Sequence, residues 1–208
     1  MELTNLSIAQ FVDLLASDAP APGGGSAAAL AASLGIALTN MVANLTIGKK
    51  KYEKHQELME RVLKEAALIK ADLILNIDKD TESFNAVSDV FSMPKETDED
   101  KEKRKIAMEL ALKGATYVPF DIMTLCLKSL ELTEKMLNNS NNNAASDLGV
   151  AALTLEAGVK GAWLNVLINI GSIKDEEFVN KYKEDGAKIV AQAEKYAKNI
   201  YIAVCGCI

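Results

Sequence analysis

From Ala27 to Gly48 the chain carries no charged residue, and directly before that run stands Pro20-Ala21-Pro22-Gly23-Gly24-Gly25-Ser26. Prolines and glycines disfavour a helix interior, whereas the residues that follow are good helix formers. The stretch therefore reads as a tight loop opening a helix, with Ser26 as its N-cap. On a helical wheel Leu30, Leu34, Leu38, Met41 and Leu45 form one stripe, and Ser26, Ala29, Ser33, Ala37, Asn40 and Asn44 form the stripe beside it. A helix with no charged side is buried all round or lies in a membrane. The weakly hydrophobic Ala, Ser, Gly and Asn content and the missing aromatic belt favour the central helix of a soluble bundle or oligomer, with no membrane partner.

The remainder of the chain reads as helices around that one. Ser7 to Ala16 has a short amphipathic pattern; a long one follows Lys49-Lys50-Lys51-Tyr52 and ends at Met93-Pro94-Lys95. Thr97-Asp98-Glu99-Asp100 suits another helix start, because a capping hydroxyl is followed by acidic residues in the first turn. That helix meets Pro119, where a kink or break is expected. Asn138-Asn139-Ser140-Asn141-Asn142-Asn143 is a polar loop, Ser146-Asp147 opens a small apolar helix, and a last amphipathic helix runs from near Asp175 to about Val204. No alternating strand pattern occurs, so the expected fold class is all-α: one domain over residues 1–208, a bundle of long up-and-down helices around a central uncharged one.

Composition narrows the function. A net charge of -6 over 208 residues argues against a general nucleic-acid binder, which needs a basic face. The N-terminus shows no secretory h-region, which leaves the cytoplasm as the expected location. Three cysteines and a single His55 make no zinc set, so no metal is expected.

The two least charged helices both begin with turn-forming residues, at Gly23-Gly24-Gly25-Ser26 and at Asn141 to Asp147. Such starts expose backbone N–H groups that can meet an anion or a polar ring. Thr154, Gly158, Gly161, Asn165 and Asn169 share one helix face, and each interior glycine costs about 1 kcal/mol against alanine. Close approach of another backbone or of a ligand would account for them. Asn40, Asn44, Asn165 and Asn169 are amides on apolar helices that must bond either another helix or a ligand. Lys49, Lys50 and Lys51 read either as a solvated run or as partners for a carboxylate-bearing ligand.

Taken in order, Pro20 to Leu30, the Gly48-Lys49-Lys50-Lys51-Tyr52 turn, Asp80 with Phe84, Pro94-Lys95, Asn141 and Asn143 leading to Ser146-Asp147-Leu148-Gly149-Val150-Ala151, and Gly161 to Asn169 resemble the formimidoyltetrahydrofolate cyclodeaminase / methenyltetrahydrofolate cyclohydrolase family. In animals that domain is similar to the C-terminal half of formiminotransferase-cyclodeaminase. The resemblance covers almost the whole chain; one departure is Ser140, where the family pattern has glycine. It implies an all-helical homodimer with a folate-binding crevice near the subunit contact and no cofactor beyond the folate substrate. It further implies that Asp80 and Asp147 flank the reacting carbon, with Lys95 a third catalytic candidate. Gly23, Gly24, Gly25, Ser26, Asn44, Asn141, Asn143, Asn165 and Asn169 would serve the pterin, and Lys49, Lys50 and Lys51 the glutamate tail. The glycine bend and the asparagine bend are then expected to meet around one ligand.

Overall fold

The computed structural model describes residues 2–208, and those residues contain helices and no strand. Six α-helices follow one another: α1 (Ile8–Leu15), α2 (Gly24–Asn44), α3 (Gln56–Phe91), α4 (Asp98–Lys135), α5 (Ala145–Ile170) and α6 (Glu176–Cys205). Local chemistry sets several of the starts. Ser7 with Gln10 and Thr97 with Asp100 form reciprocal capping boxes, and Asp175 accepts the Phe178 N–H at 3.0 Å.

Helix α2 is the hub, and α5 packs against it antiparallel. Cβ atoms added to glycines report how closely the two backbones approach. At Gly158 such an atom would stand 3.0 Å from Ala32 Cβ and 3.1 Å from the Cys126 sulfur. At Gly161 it would stand 3.2 Å from Ala28 Cβ, and at Gly35 2.7 Å from Leu155 Cγ. Gly158 and Gly161 of α5 are thus explained by the close approach of α2. Helices α3 and α4 also run antiparallel: Asn76 donates to Asp121 at 2.8 Å near one end, and Arg104 Nε donates to the Val90 carbonyl at 3.1 Å near the other.

Two expectations change. Helix α4 runs through Pro119 without a break. Proline has no N–H for the carbonyl four residues back, which is that of Ala115. Asn169 on α5 supplies the missing donor, its Nδ2 reaching the Ala115 oxygen at 2.7 Å.

Nor is α2 buried all round. Its small-residue face, from Ala28 and Ala29 through Ile36 to Ala43, is buried, but Leu34, Met41 and Leu45 stay 54%, 38% and 42% exposed. On the adjoining helix Val150, Leu153, Leu164 and Ile168 are exposed as well. The two helices together present an apolar face that this chain alone does not cover. Segments containing α2, α4 and α5 are long and apolar enough to cross a membrane by length and composition, yet 56% of the apolar window of α2 is buried in the bundle.

Because α2 and α5 touch through Gly158, Gly158→Leu should cost about 1–3 kcal/mol by overpacking and lower Tm by about 5 °C. Gly114→Ala is the control. A Cβ there meets nothing within 4 Å, so the variant should melt at the same temperature or slightly higher by calorimetry.

Candidate active site

The glycine-rich bend, α3 and α5 enclose a cavity of about 310 Å³, with Gly23, Gly24, Asp80, Phe84, Asn165 and Asn169 among its lining residues. Each side chain is held from behind. The carboxyl of Asp80 lies against the first turn of α2, where its Oδ2 accepts the Ser26 N–H at 2.8 Å and stands 3.0 Å from the Ser26 hydroxyl. Helix α2 has no side-chain cap of its own at Gly23, so Asp80 satisfies an otherwise orphaned donor from another helix. The approach is possible only over a glycine. A Cβ at Gly25 would run into the Asp80 carboxyl, while one at Gly24 would stand 3.4 Å from Asn165 Nδ2.

The two amides are oriented by carbonyls. Asn165 Nδ2 donates to the Gly161 oxygen at 2.9 Å, and Asn169 Nδ2 to the Ala115 oxygen freed by Pro119. With one N–H of each NH2 group engaged, each amide keeps its oxygen and a second N–H for a ligand, and the oxygens suit a ring that presents N–H donors. Phe84, one turn after Asp80 and 42% exposed, adds an aromatic wall. Burial pushes the Asp80 carboxyl above the usual carboxylate range, partly offset by the Ser26 hydroxyl and N–H. Among the described residues no three His, Cys, Asp or Glu side chains gather into a metal-binding group.

The other expected site residues lie elsewhere in this chain. Asn141 is tied to the far end of α2, its N–H bonding Thr46 Oγ1 at 2.9 Å and its Nδ2 the Leu45 carbonyl at 3.3 Å. The Asn142 N–H donates to the Tyr52 hydroxyl at 3.1 Å, and that bond, helped by Lys51 and Lys49, holds the phenol below its ordinary pKa. Lys49, Lys50 and Lys51 are exposed beside this corner, as are Asn44 and Asn143; Asp147 sits in the first turn of α5. With α2 about 30 Å long, the glycine bend and the asparagine bend occupy opposite ends of it, and Asp147 is not beside Asp80.

Lys95 is likewise displaced from the cavity. It follows the end of α3, about 16 Å along the helix beyond Asp80, in an exposed groove with Phe91 and Arg104. Ser26 is fully buried and is not the N-cap, which is Gly23; its contact is with Asp80 rather than with the cavity. The asparagine loop needs no glycine at Ser140, since Asn138 takes the left-handed conformation with φ 60°.

Phe84 lines the cavity, and its only signal in the sequence is its i,i+4 spacing from Asp80. The link from Pro119 to Asn169 had no sequence signal, because it joins two helices through a backbone carbonyl.

Residues 7–188 match the family model of formiminotransferase-cyclodeaminase. A methenyltetrahydrofolate cyclohydrolase of Methylorubrum extorquens is 39% identical over 96% of both chains. A formimidoyltransferase-cyclodeaminase of Gallus gallus is 36% identical over 93% of this chain, which spans 36% of that longer protein. The crystal structure of a formiminotetrahydrofolate cyclodeaminase from Thermotoga maritima superposes with a TM-score of 0.82 at 30% identity, covering 99% of this chain and 97% of that one.

The raised Asp80 pKa carries a stability consequence of definite sign. The folded state holds this proton at higher pH than the unfolded chain does, so stability falls as pH rises from the ordinary carboxylate pKa to the raised one. Asp80→Asn removes that loss. Thermal melts at about pH 4 and about pH 7 should show the variant gaining on the wild type at the higher pH. A gain at the lower pH instead would contradict the burial described here.

Proposed function

The chain belongs to the formiminotransferase-cyclodeaminase family, and on that premise we propose that it is an enzyme of the tetrahydrofolate one-carbon unit, a methenyltetrahydrofolate cyclohydrolase. The observation that carries the reading is a half-buried carboxyl, Asp80, in a cavity whose other polar side chains are uncharged amides and hydroxyls, in a chain matched end to end by a cyclohydrolase of its own length. In this reaction water adds to the methenyl carbon between N5 and N10 of the folate. Asp80, as the carboxylate, takes a proton from the attacking water. The tetrahedral carbon then releases N5, which receives the proton from Asp80, while the hydroxyl on that carbon loses its own proton to solvent as the C=O forms; 10-formyl-tetrahydrofolate remains, and the positive charge of the methenyl substrate leaves as that proton. Burial raises the basicity of Asp80 toward the working pH, where general acid-base help is worth about 100- to 10,000-fold. Asn165 and Asn169 hold the pterin by its N–H groups, and Phe84 packs on the folate.

Cyclodeaminase activity is the second reading, favoured by the Thermotoga maritima structure and by the animal relatives. There N10 attacks the formimino carbon and ammonia leaves, so the same carboxyl has a proton to deliver to nitrogen.

The same proposal includes a homodimer acting in the cytoplasm. The exposed stripe Leu34, Met41 and Leu45 with Val150, Leu153, Leu164 and Ile168 suits a second copy, and Ile168 also borders the cavity. A two-fold axis perpendicular to α2 sends the asparagine end of one copy to the glycine end of the other. Asp147, Asn141, Asn143 and Lys49 to Lys51 of that copy would then complete the site, the lysines meeting the glutamate tail of the folate.

Side-by-side assays with 5,10-methenyl- and 5-formimino-tetrahydrofolate separate the two reactions. Asp80→Asn should lower turnover at least about 100-fold with little change in folate binding. Co-refolding equal amounts of inactive Asp80→Asn and inactive Asp147→Asn chains should restore about a quarter of wild-type activity, because half the dimers are mixed and each has one intact site. No recovery would refute the shared site.

A further inference from the structure

Ser26 is fully buried, and its hydroxyl stands between two acceptors. The Ile77 carbonyl is 2.9 Å away and Asp80 Oδ2 is 3.0 Å away; the Thr81 hydroxyl is more distant at 3.4 Å. A serine hydroxyl has a single proton to donate, so it serves one of these acceptors at a time. The two do not need it equally. Ile77 lies inside α3, where its carbonyl already accepts the N–H four residues on, whereas an ionised carboxylate out of water gains most from each donor. The Ser26 N–H bonds the same Oδ2 in either case, and Oδ1 has no donor among the described residues.

We infer that Ser26 is a positioning residue for Asp80: its N–H and hydroxyl keep Oδ2 as the accepting oxygen, which directs the transferable proton to Oδ1. When Asp80 is a carboxylate the hydroxyl points at Oδ2. When a proton arrives on Oδ1 the hydroxyl is free to turn back to Ile77, and no buried group is left unpaired in either state. Each swing follows the proton and makes no net transfer of its own.

Few other charges bear on this carboxyl. Helix α2 contributes none, α5 faces the cavity with Asn165 and Asn169, and α4 does so with Ala115. On α3 itself Lys79 and Glu82 are exposed, and Asp78 is engaged by the Leu3 N–H and the Thr4 hydroxyl. In the proposed dimer, Asp147 and Lys49 to Lys51 of the second copy would come within range.

The catalytic meaning rests on the proposed reaction; the effect on Asp80 does not. Carbon-13 NMR of aspartate-labelled protein gives the Asp80 titration directly, its signal being the one missing from Asp80→Asn. Ser26→Ala removes a donor to the charged form and should raise the Asp80 pKa by about one unit. Ser26→Cys, a weaker donor of similar size, should raise it less. The basic-form limb of the kcat profile should move upward in step, with KM nearly constant. An unmoved or lowered Asp80 pKa in Ser26→Ala would overturn the inference. If that variant does not fold, an unmoved value in Ser26→Cys decides it in the same way. A raised pKa in a protein that turns over neither folate would uphold the role of Ser26 and reject the reaction.

Discussion

The contact between the Asp80 carboxyl and the opening turn of α2 is the interaction on which the site depends. A buried carboxyl is costly unless donors meet it, and the first turn of a helix is short of acceptors; each supplies what the other lacks. Their meeting requires a backbone without a Cβ at Gly25, because the carboxyl occupies the space a side chain would take. The three glycines are therefore not interchangeable turn residues. Gly25 admits Asp80, Gly24 admits Asn165, and Gly23 serves as the cap position.

The same economy of small residues governs the bundle. Ala28 and Ala32 on α2 meet Gly161 and Gly158 on α5, so the two helices approach closely enough for the cavity to form between their ends and α3. Pro119 extends this arrangement to α4. By withholding an N–H it leaves the Ala115 carbonyl exposed to Asn169, and the asparagine is fixed with its NH2 toward the helix and its oxygen free. A residue expected to interrupt a helix instead orients a side chain on its neighbour.

A single chain leaves the arrangement incomplete in one respect. The leucine stripe of α2 and the exposed apolar residues of α5 lie side by side, running from the cavity at one end to the asparagine corner at the other. Apolar surface of that extent, bordered at both ends by polar clusters, is what a two-fold contact between copies would use. In the proposed dimer, the separation of the two bends within one chain and the uncovered face between them would have one common explanation.

Periodicity alone was enough for the all-helical class and for most helix bounds. The 3.6-residue repeat of apolar positions and the capping groups Ser7, Thr97 and Asp175 act within a few residues, so they are legible in one dimension. Asn165 and Asn169 were legible as amides on an otherwise apolar helix, whereas Asp80, in the charged run Asp78-Lys79-Asp80-Thr81-Glu82, reads alone as a solvated carboxylate and was singled out by the resemblance. The grouping of the site residues was not legible. Whether Asp147 or Lys95 stands beside Asp80 depends on helix length and on antiparallel packing, and a rise of about 1.5 Å per residue carries the two bends to opposite ends of α2. That Ser26 holds Asp80 rather than capping its own helix, and that Pro119 governs Asn169, were likewise decided by tertiary structure. In both, a donor and an acceptor far apart in the chain meet only once the helices have packed.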